Sequence, residues 1–265
     1  MRLQYRCGAA ALLLLAATVL VAADAPWVGK WKFNPAKSDL GQTTVTFAQT
    51  ASGEMQLIAE GQSYTFKTDG KDYPAIFGYT ASWRQIDANT WETTDKLNGK
   101  VVSVDTTKLS ADGKTLTMES KGKRPNGEPF DDTTTYQRAS GGPGLPGKWK
   151  TQNLKVSSPE LMEIAAAGPG ADGITLTMPA EKASCKGAFD GKEYPFSGPQ
   201  MPPGFTATFK HIGPKSFEMT LKNKGKPAYV STFTVSDDGK TLSETGSAVG
   251  IDEKYKYVYD RQPAS

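Results

Sequence analysis

Two tandem antiparallel up-and-down β-barrels are the architecture this sequence predicts, an all-β fold resting on three observations. Polar and apolar residues alternate at a period of two through most of the chain. Turn residues interrupt that alternation about every 8–12 residues. The third observation is an ordered internal repeat. Gly29-Lys30-Trp31-Lys32 returns as Gly147-Lys148-Trp149-Lys150, and Asp69-Gly70-Lys71-Asp72-Tyr73-Pro74 as Asp190-Gly191-Lys192-Glu193-Tyr194-Pro195. The block from Leu109 to Leu116 returns from Val235 to Leu242, and Tyr136-Gln137-Arg138 as Tyr259-Asp260-Arg261. Units of this length are too long for solenoid repeats, so each copy is expected to be a domain with its own core.

Within the first copy, strands are expected at Thr44–Gln49, Met55–Glu60, Ser63–Thr68, Tyr79–Ile86, Trp91–Leu97, Lys100–Leu109, Thr115–Lys121 and Asp132–Arg138. Asn98-Gly99 joins two of them as a hairpin turn, because both residues tolerate positive φ; Asp112-Gly113 makes the next turn. The second copy continues with Phe205–Ile212, Ser216–Lys222, Ala228–Ser236, Thr241–Gly246 and Tyr255–Arg261. Abundant Thr, Val, Tyr and Phe suit a half-buried pleated surface. A short helix is predicted over residues 159–167, with Ser158 as N-cap, Pro159 in the first turn and Gly168 as stop. Ala139 to Pro146 is rich in Gly and Pro and reads as a linker. The expected organisation is one barrel over residues 24–138, a linker over 139–146 and a second barrel over 147–262.

Residues 1–23 read as a signal peptide. Arg2 and Arg6 form a basic start, Ala9 to Val21 an apolar run, and Val21-Ala22-Ala23 fits cleavage after Ala23. The run is shorter than the ~20 residues a membrane span needs, so no membrane insertion of the mature chain is expected. Cys7 precedes the run, whereas a lipid-anchoring cysteine would sit at the cut. Losing Arg2 and Arg6 lowers the formal charge from +3 to +1, a balance that offers nucleic acid no electrostatic footprint. Cys185 is the sole cysteine of the mature chain, which rules out an intramolecular disulfide. The expected location is a bacterial periplasm or secretion.

A Gly-x-Trp on the first strand with an Arg at the end of the last resembles the calycin superfamily, which holds the lipocalins and fatty-acid-binding proteins. In lipocalins the Trp plugs the closed end of the barrel and the Arg lies across it. An indole face attracts a guanidinium by ~0.5–2 kcal/mol. The resemblance implies that Gly29, Trp31 and Arg138 close the first barrel, and Gly147, Trp149 and Arg261 the second. It spans both copies. The other lipocalin motifs and the lipocalin disulfide are absent, so the likeness is one of fold, which does not by itself confer function. The opening Gly29 to Ser38 and the internal Asp-Gly-Lys-Asp-Tyr-Pro also look like those of a group of exported bacterial proteins.

No catalytic residue, metal ligand or cofactor site emerges from the residues. His211 is the sole imidazole and its counterpart in the first copy is Gln85; it reads as an ordinary strand residue. Cys185 reads as a small buried hydrophobe. Asp131-Asp132 and Asp237-Asp238 look like calcium seeds, but Asp-Gly-Lys is explained by a turn. Phe66, Trp83, Trp91 and Tyr136 in copy one, and Phe189, Phe209, Phe217 and Phe233 in copy two, either fill the barrels or line a cavity. The Met201-Pro202-Pro203-Gly204 loop is expected beside the second mouth. The chain is thus expected to be a monomeric, non-enzymatic exported protein binding a small apolar or amphipathic molecule. The alternative is an interaction or structural envelope module with solid barrels.

Overall fold

The computed structural model describes residues 25–39, 43–59, 61–157, 160–167 and 172–263. The signal peptide read over residues 1–23 lies outside them. Repeat one supplies β1 (Gly29–Phe33), β2 (Thr44–Gln49), β3 (Met55–Ala59), β4 (Gln62–Phe66), β5 (Asp69–Pro74), β6 (Thr80–Asp87), β7 (Thr90–Leu97), β8 (Lys100–Leu109), β9 (Thr115–Lys123) and β10 (Pro129–Ser140). Repeat two supplies β11 (Gly147–Lys155), β12 (Leu161–Ala166), β13 (Gly173–Met178), β14 (Ala183–Ala188), β15 (Tyr194–Ser197), β16 (Phe205–Gly213), β17 (Ser216–Asn223), β18 (Lys226–Val235), β19 (Thr241–Ala248) and β20 (Tyr255–Arg261). The strands form two antiparallel ten-stranded sheets. One is a closed barrel; the other is nearly closed, with β4 and β5 as its edges. Asn98 and Gly99 both adopt positive φ, as the two-residue hairpin requires. Among the described residues, no helix is long and apolar enough to cross a membrane.

The sheets do not coincide with the repeats. The closed barrel is β1 followed by β12 to β20; the open sheet runs β4-β3-β2-β11-β10-β9-β8-β7-β6-β5. Each repeat therefore gives its first strand to the other's sheet. β1 lies between β12 and β20, and β11 between β10 and β2. The expected division into barrels over 24–138 and 147–262 is corrected accordingly. The open sheet is one continuous stretch from Thr44 to Lys155, and the closed barrel is assembled from both sides of it. The reason is chain connectivity. Only residues 141–146 separate β10 from β11, and so short a connection favours antiparallel neighbours and closes at little entropic cost.

This exchange also corrects the closing pairs. Arg261 lies over Trp31, its guanidinium carbon 4.1 Å from the ring centroid, and Arg138 over Trp149 at 4.0 Å. The pairs are adjacent in register, Trp31 beside Arg261 and Trp149 beside Arg138. Each guanidinium also donates to three backbone carbonyls. Arg138 reaches Gly113, Gly144 and Pro146 at 2.6, 2.6 and 2.9 Å; Arg261 reaches Gly239, Pro26 and Val28 at the same three distances. Each indole donates to the carbonyl four residues earlier, Trp31 to Trp27 and Trp149 to Leu145. The glycines are required by this arrangement. Gly29 and Gly147 have φ of +148° and +153°, and a Cβ there would lie 2.5 and 2.7 Å from the Arg261 and Arg138 guanidinium nitrogens. Residues 139–146 are accordingly not a loose linker: β10 runs to Ser140, Leu145 is buried, and Gly144 and Pro146 form the arch that holds Arg138.

The helix expected over 159–167 is absent from the described part of that range, where Leu161–Ala166 is β12. Met162 and Ile164 are buried and their neighbours are not, a period of two. Pairing with β1 and β13 gives this stretch a tertiary reason to extend, which outweighs a weak local helix preference.

Truncating Trp31 or Trp149 to Ala is expected to cost ~3–5 kcal/mol through lost burial and the cavity left. In double-mutant cycles followed by denaturant unfolding, Trp31 should couple with Arg261, and Trp149 with Arg138, by ~0.5–2 kcal/mol. Trp31 with Arg138 should be additive; coupling there would overturn the exchanged topology.

Candidate functional site

The two interiors differ, and the repeat makes the difference measurable residue by residue. β7 and β8 pair Trp91 with Thr107, Thr93 with Asp105 and Asp95 with Ser103. β17 and β18 pair Phe217 with Phe233, Met219 with Ser231 and Leu221 with Tyr229. The closed barrel thus carries apolar or aromatic Met219, Leu221 and Phe233 where the open sheet carries Thr93, Asp95 and Thr107.

In the closed barrel the candidate pocket aromatics fill the core. Phe217 and Phe233 stack at 4.8 Å, Phe189 packs edge-on against both Phe209 and Phe217, and Phe209, Phe217 and Phe233 are fully buried. His211 stacks on Phe189 at 3.8 Å and leans on Trp27. Cys185 is buried beneath the sheet, and burial pushes its thiol up to about 11, so it stays neutral. A recess of about 300 Å³ lies among Tyr229, Ile251, Tyr255 and Tyr257, with Thr43 and Thr44 of the open-sheet side completing its lining. Glu244, deep in this interior, is fully engaged, accepting from Ser231, Tyr255 and Tyr259. Glu160, just before β12, keeps one buried carboxyl oxygen without a hydrogen-bond partner among the described residues.

The open sheet encloses a cavity of about 410 Å³. Tyr64 of β4, Trp83 of β6, Phe130 of β10, and Phe77 and Tyr79 of the corner between β5 and β6 supply aromatic walls. Of the residues expected to line a pocket, Trp83 does so. Phe66 stacks behind it at 4.4 Å, and Trp91 lies in the same core. The Trp83 indole donates to the Tyr64 hydroxyl at 3.1 Å. Asp95, Ser103, Asp105 and Ser120 line one side on adjacent strands. Ser120 donates to Asp105 at 2.6 Å, and Ser103 more weakly to Asp95 at 3.4 Å. Thr93 also lines the cavity; it is 3% exposed, and its hydroxyl has no hydrogen-bond partner among the described residues. Gln200, next to the Met201–Gly204 loop expected at the second mouth, lines this first cavity instead; its carbonyl accepts from Tyr79 at 2.9 Å.

Sequence reading missed Asp95 and Asp105. Both alternate correctly with Thr and Val on strands and look like outward-facing polar residues. The available signal was phase: Trp91, Thr93 and Asp95 share one face of β7, and the anchoring Trp91 points inward. Burial, then the facing Asp105 carboxylate, pushes Asp95 up to about 7; burial also raises Asp105. The calcium seeds dissolve into turns and strand contacts. Asp238 accepts from the Lys240 amide and the Ser236 hydroxyl, Asp131 pairs with Lys121, and Asp132 accepts from Ser157. A search of family models, curated proteins and solved structures finds no match to the chain.

Asp95 titrates near its ordinary value of 3.8 when unfolded and near 7 when folded. Across that window the folded chain keeps a proton that the unfolded chain has released, so stability falls as pH rises. Glu160, also pushed up to about 7, and buried Glu244 act with the same sign. Carboxyls that are lowered, such as Asp112 and Asp260, lose their contribution only at more acidic pH. The denaturant midpoint is expected to fall from about pH 5 to about pH 8, and Asp95→Asn to flatten part of that fall. A midpoint rising over the same range would contradict the assignment.

Proposed function

We propose that the chain is an exported, non-enzymatic, calycin-like binding protein that holds a small amphipathic molecule in the cavity of its open sheet. The observation that carries the reading is the contrast between the interiors: one filled with Phe rings and leaving a recess of about 300 Å³, the other holding a cavity of about 410 Å³ that is aromatic-walled and carries an acidic pair on one side. A concave, mainly aromatic space with a few convergent polar groups is the usual form of a small-molecule site. The end closed by Trp and Arg, with the opposite end hollow, supports the calycin likeness. The basic start and apolar run of residues 1–23 support export. The filled lower half of the closed barrel favours a scaffolding role for that part.

The test uses the neutral fluorophore N-phenyl-1-naphthylamine with the mature protein. One probe per chain should bind, with enhanced emission. Ala75→Trp, which places an indole in the cavity wall, should abolish binding, whereas Ala228→Trp on the closed barrel should not. Absence of binding, or binding indifferent to Ala75→Trp, would sink the reading. Native mass spectrometry of protein from its own cell should show an added mass that Ala75→Trp removes.

A further inference from the structure

We propose that the ligand of the open sheet carries an ammonium group, seated between Asp95, Asp105 and the Thr93 hydroxyl with its apolar body against the aromatic walls. The inference deepens the binding reading above and rests on it.

Three independent observations converge. First, two carboxyl groups face each other across β7 and β8 inside a cavity, with two serine hydroxyls as their hydrogen-bond donors. Among the described residues, no Lys or Arg lines this cavity. Lys96, the neighbour of Asp95 in sequence, faces away and pairs with Asp72 at 2.8 Å. Two like charges side by side in a partly dry space are unfavourable, and a cation between them removes the repulsion.

Second, the Thr93 hydroxyl is more than nine-tenths buried, lines the same cavity and is without a partner. A buried polar atom left unmade costs free energy, and an oxygen in this position accepts a hydrogen bond from an arriving N–H donor. An ammonium has three such donors, matching three acceptor groups. Third, three aromatic rings, Tyr64, Trp83 and Phe130, line the same space; Phe66 stacks on one face of Trp83, and the Arg124 guanidinium lies over the Phe130 ring. Aromatic faces attract cations, most of all when water is excluded. A carboxylate or phosphate ligand would meet the carboxyl pair as a like charge, and a neutral ligand would leave that pair uncompensated.

The second repeat acts as an internal control. There Leu221 and Met219 take the places of Asp95 and Thr93, and Glu244 already accepts from three hydroxyls. The acidic pair, an unpaired hydroxyl and the cavity lie together in the open sheet, whereas the unpaired acceptor of the closed barrel is a carboxyl oxygen of Glu160.

Binding of a cation favours the doubly ionised pair, so protons compete with it. The titratable groups facing Asp95 are Asp105 from β8, Tyr64 from β4 and Tyr79 from the corner before β6. Both tyrosines are raised by burial and stay neutral, which leaves the carboxyl pair to set the pH response.

The experiment is calorimetric titration of the mature protein with three probes of one shape: 2-phenylethylamine, 2-phenylethanol and 3-phenylpropionate. At about pH 8 the amine should bind at least ~10-fold tighter than the alcohol, and the carboxylate weakest. Amine affinity should drop several-fold at about pH 6, where protons hold the pair, while alcohol affinity stays level. Asp95→Asn and Asp105→Asn should each cost the amine ~10-fold and leave the alcohol nearly unchanged. Thr93→Val should weaken the amine alone. Equal affinity for amine and alcohol overturns the ammonium inference and leaves the binding reading intact; failure of both to bind overturns both. Should the Asp variants not fold, the three probes on the unaltered chain still decide.

Discussion

Everything in this structure hangs on the way each arginine is held. Arg138 and Arg261 cover an indole on one face and spend their N–H groups on three carbonyls, two of which belong to the arch before the Gly-x-Trp strand. A planar fork with fixed donors suits this task, and a lysine could not replace it. The arch leads into the first strand of one repeat, which carries the glycine and the indole; the arginine lies on the last strand of the other repeat. The clamp therefore fixes which strands are neighbours. β1 and β20 are drawn together in the closed barrel, and the junction between repeats is drawn into the open sheet.

A duplicated barrel fastened in this way has two interiors under different demands. The closed barrel joins β14 to β15 through Ser184–Ser197 and Cys185–Phe196, and fills its floor with stacked Phe rings. Its counterpart leaves β4 and β5 as free edges and builds its upper interior from Thr, Ser and Asp. Polar groups of this kind cost stability unless they are satisfied. Glu244, which accepts from three hydroxyls, shows that the fold can satisfy a buried carboxylate. Thr93 and the Asp95–Asp105 pair are not treated so.

Much of the fold was legible in the sequence, and the reasons are local. Period-two alternation, Asn98-Gly99 and the Asp-Gly-Lys turns each carry their own geometry, so strands and hairpins could be read without tertiary information. The repeat disclosed two similar units and named the right closing residues. It could not disclose the partner of each, because Trp31 and Trp149 sit in the same Gly-Lys-Trp-Lys block and the two arginines end matching strands. The choice is made by the short connection between β10 and β11, a property of distance and not of residue type. Leu161–Ala166 was misread because its N-cap, Pro and Gly are genuine helix signals, overruled by two waiting strand partners. The cavity was invisible for a third reason. An inward-facing Asp on a strand looks the same as an outward-facing one until the phase of the whole strand is anchored by a neighbour such as Trp91.

The closed barrel also shapes the mouth of the open one. Phe77, at the corner between β5 and β6, adopts φ +54°, a conformation that a bulky side chain resists and that its surroundings must enforce. Those surroundings belong to the closed barrel: Phe205 meets its ring edge-on at 5.4 Å and Tyr229 lies at 6.4 Å. The Gln200 carbonyl holds the Tyr79 hydroxyl two residues further on. Arg124 and Glu181 form an ion pair across the same junction, and the Asn126 amide donates to Ala180 at 3.0 Å. The aromatic rim of the cavity is thus not set by the open sheet alone. Strand exchange makes the two sheets one object at the arginine-clamped ends, and these contacts join them again at the cavity. A filled barrel beside a hollow one gives the hollow one a rigid rim that its own free edges β4 and β5 cannot provide.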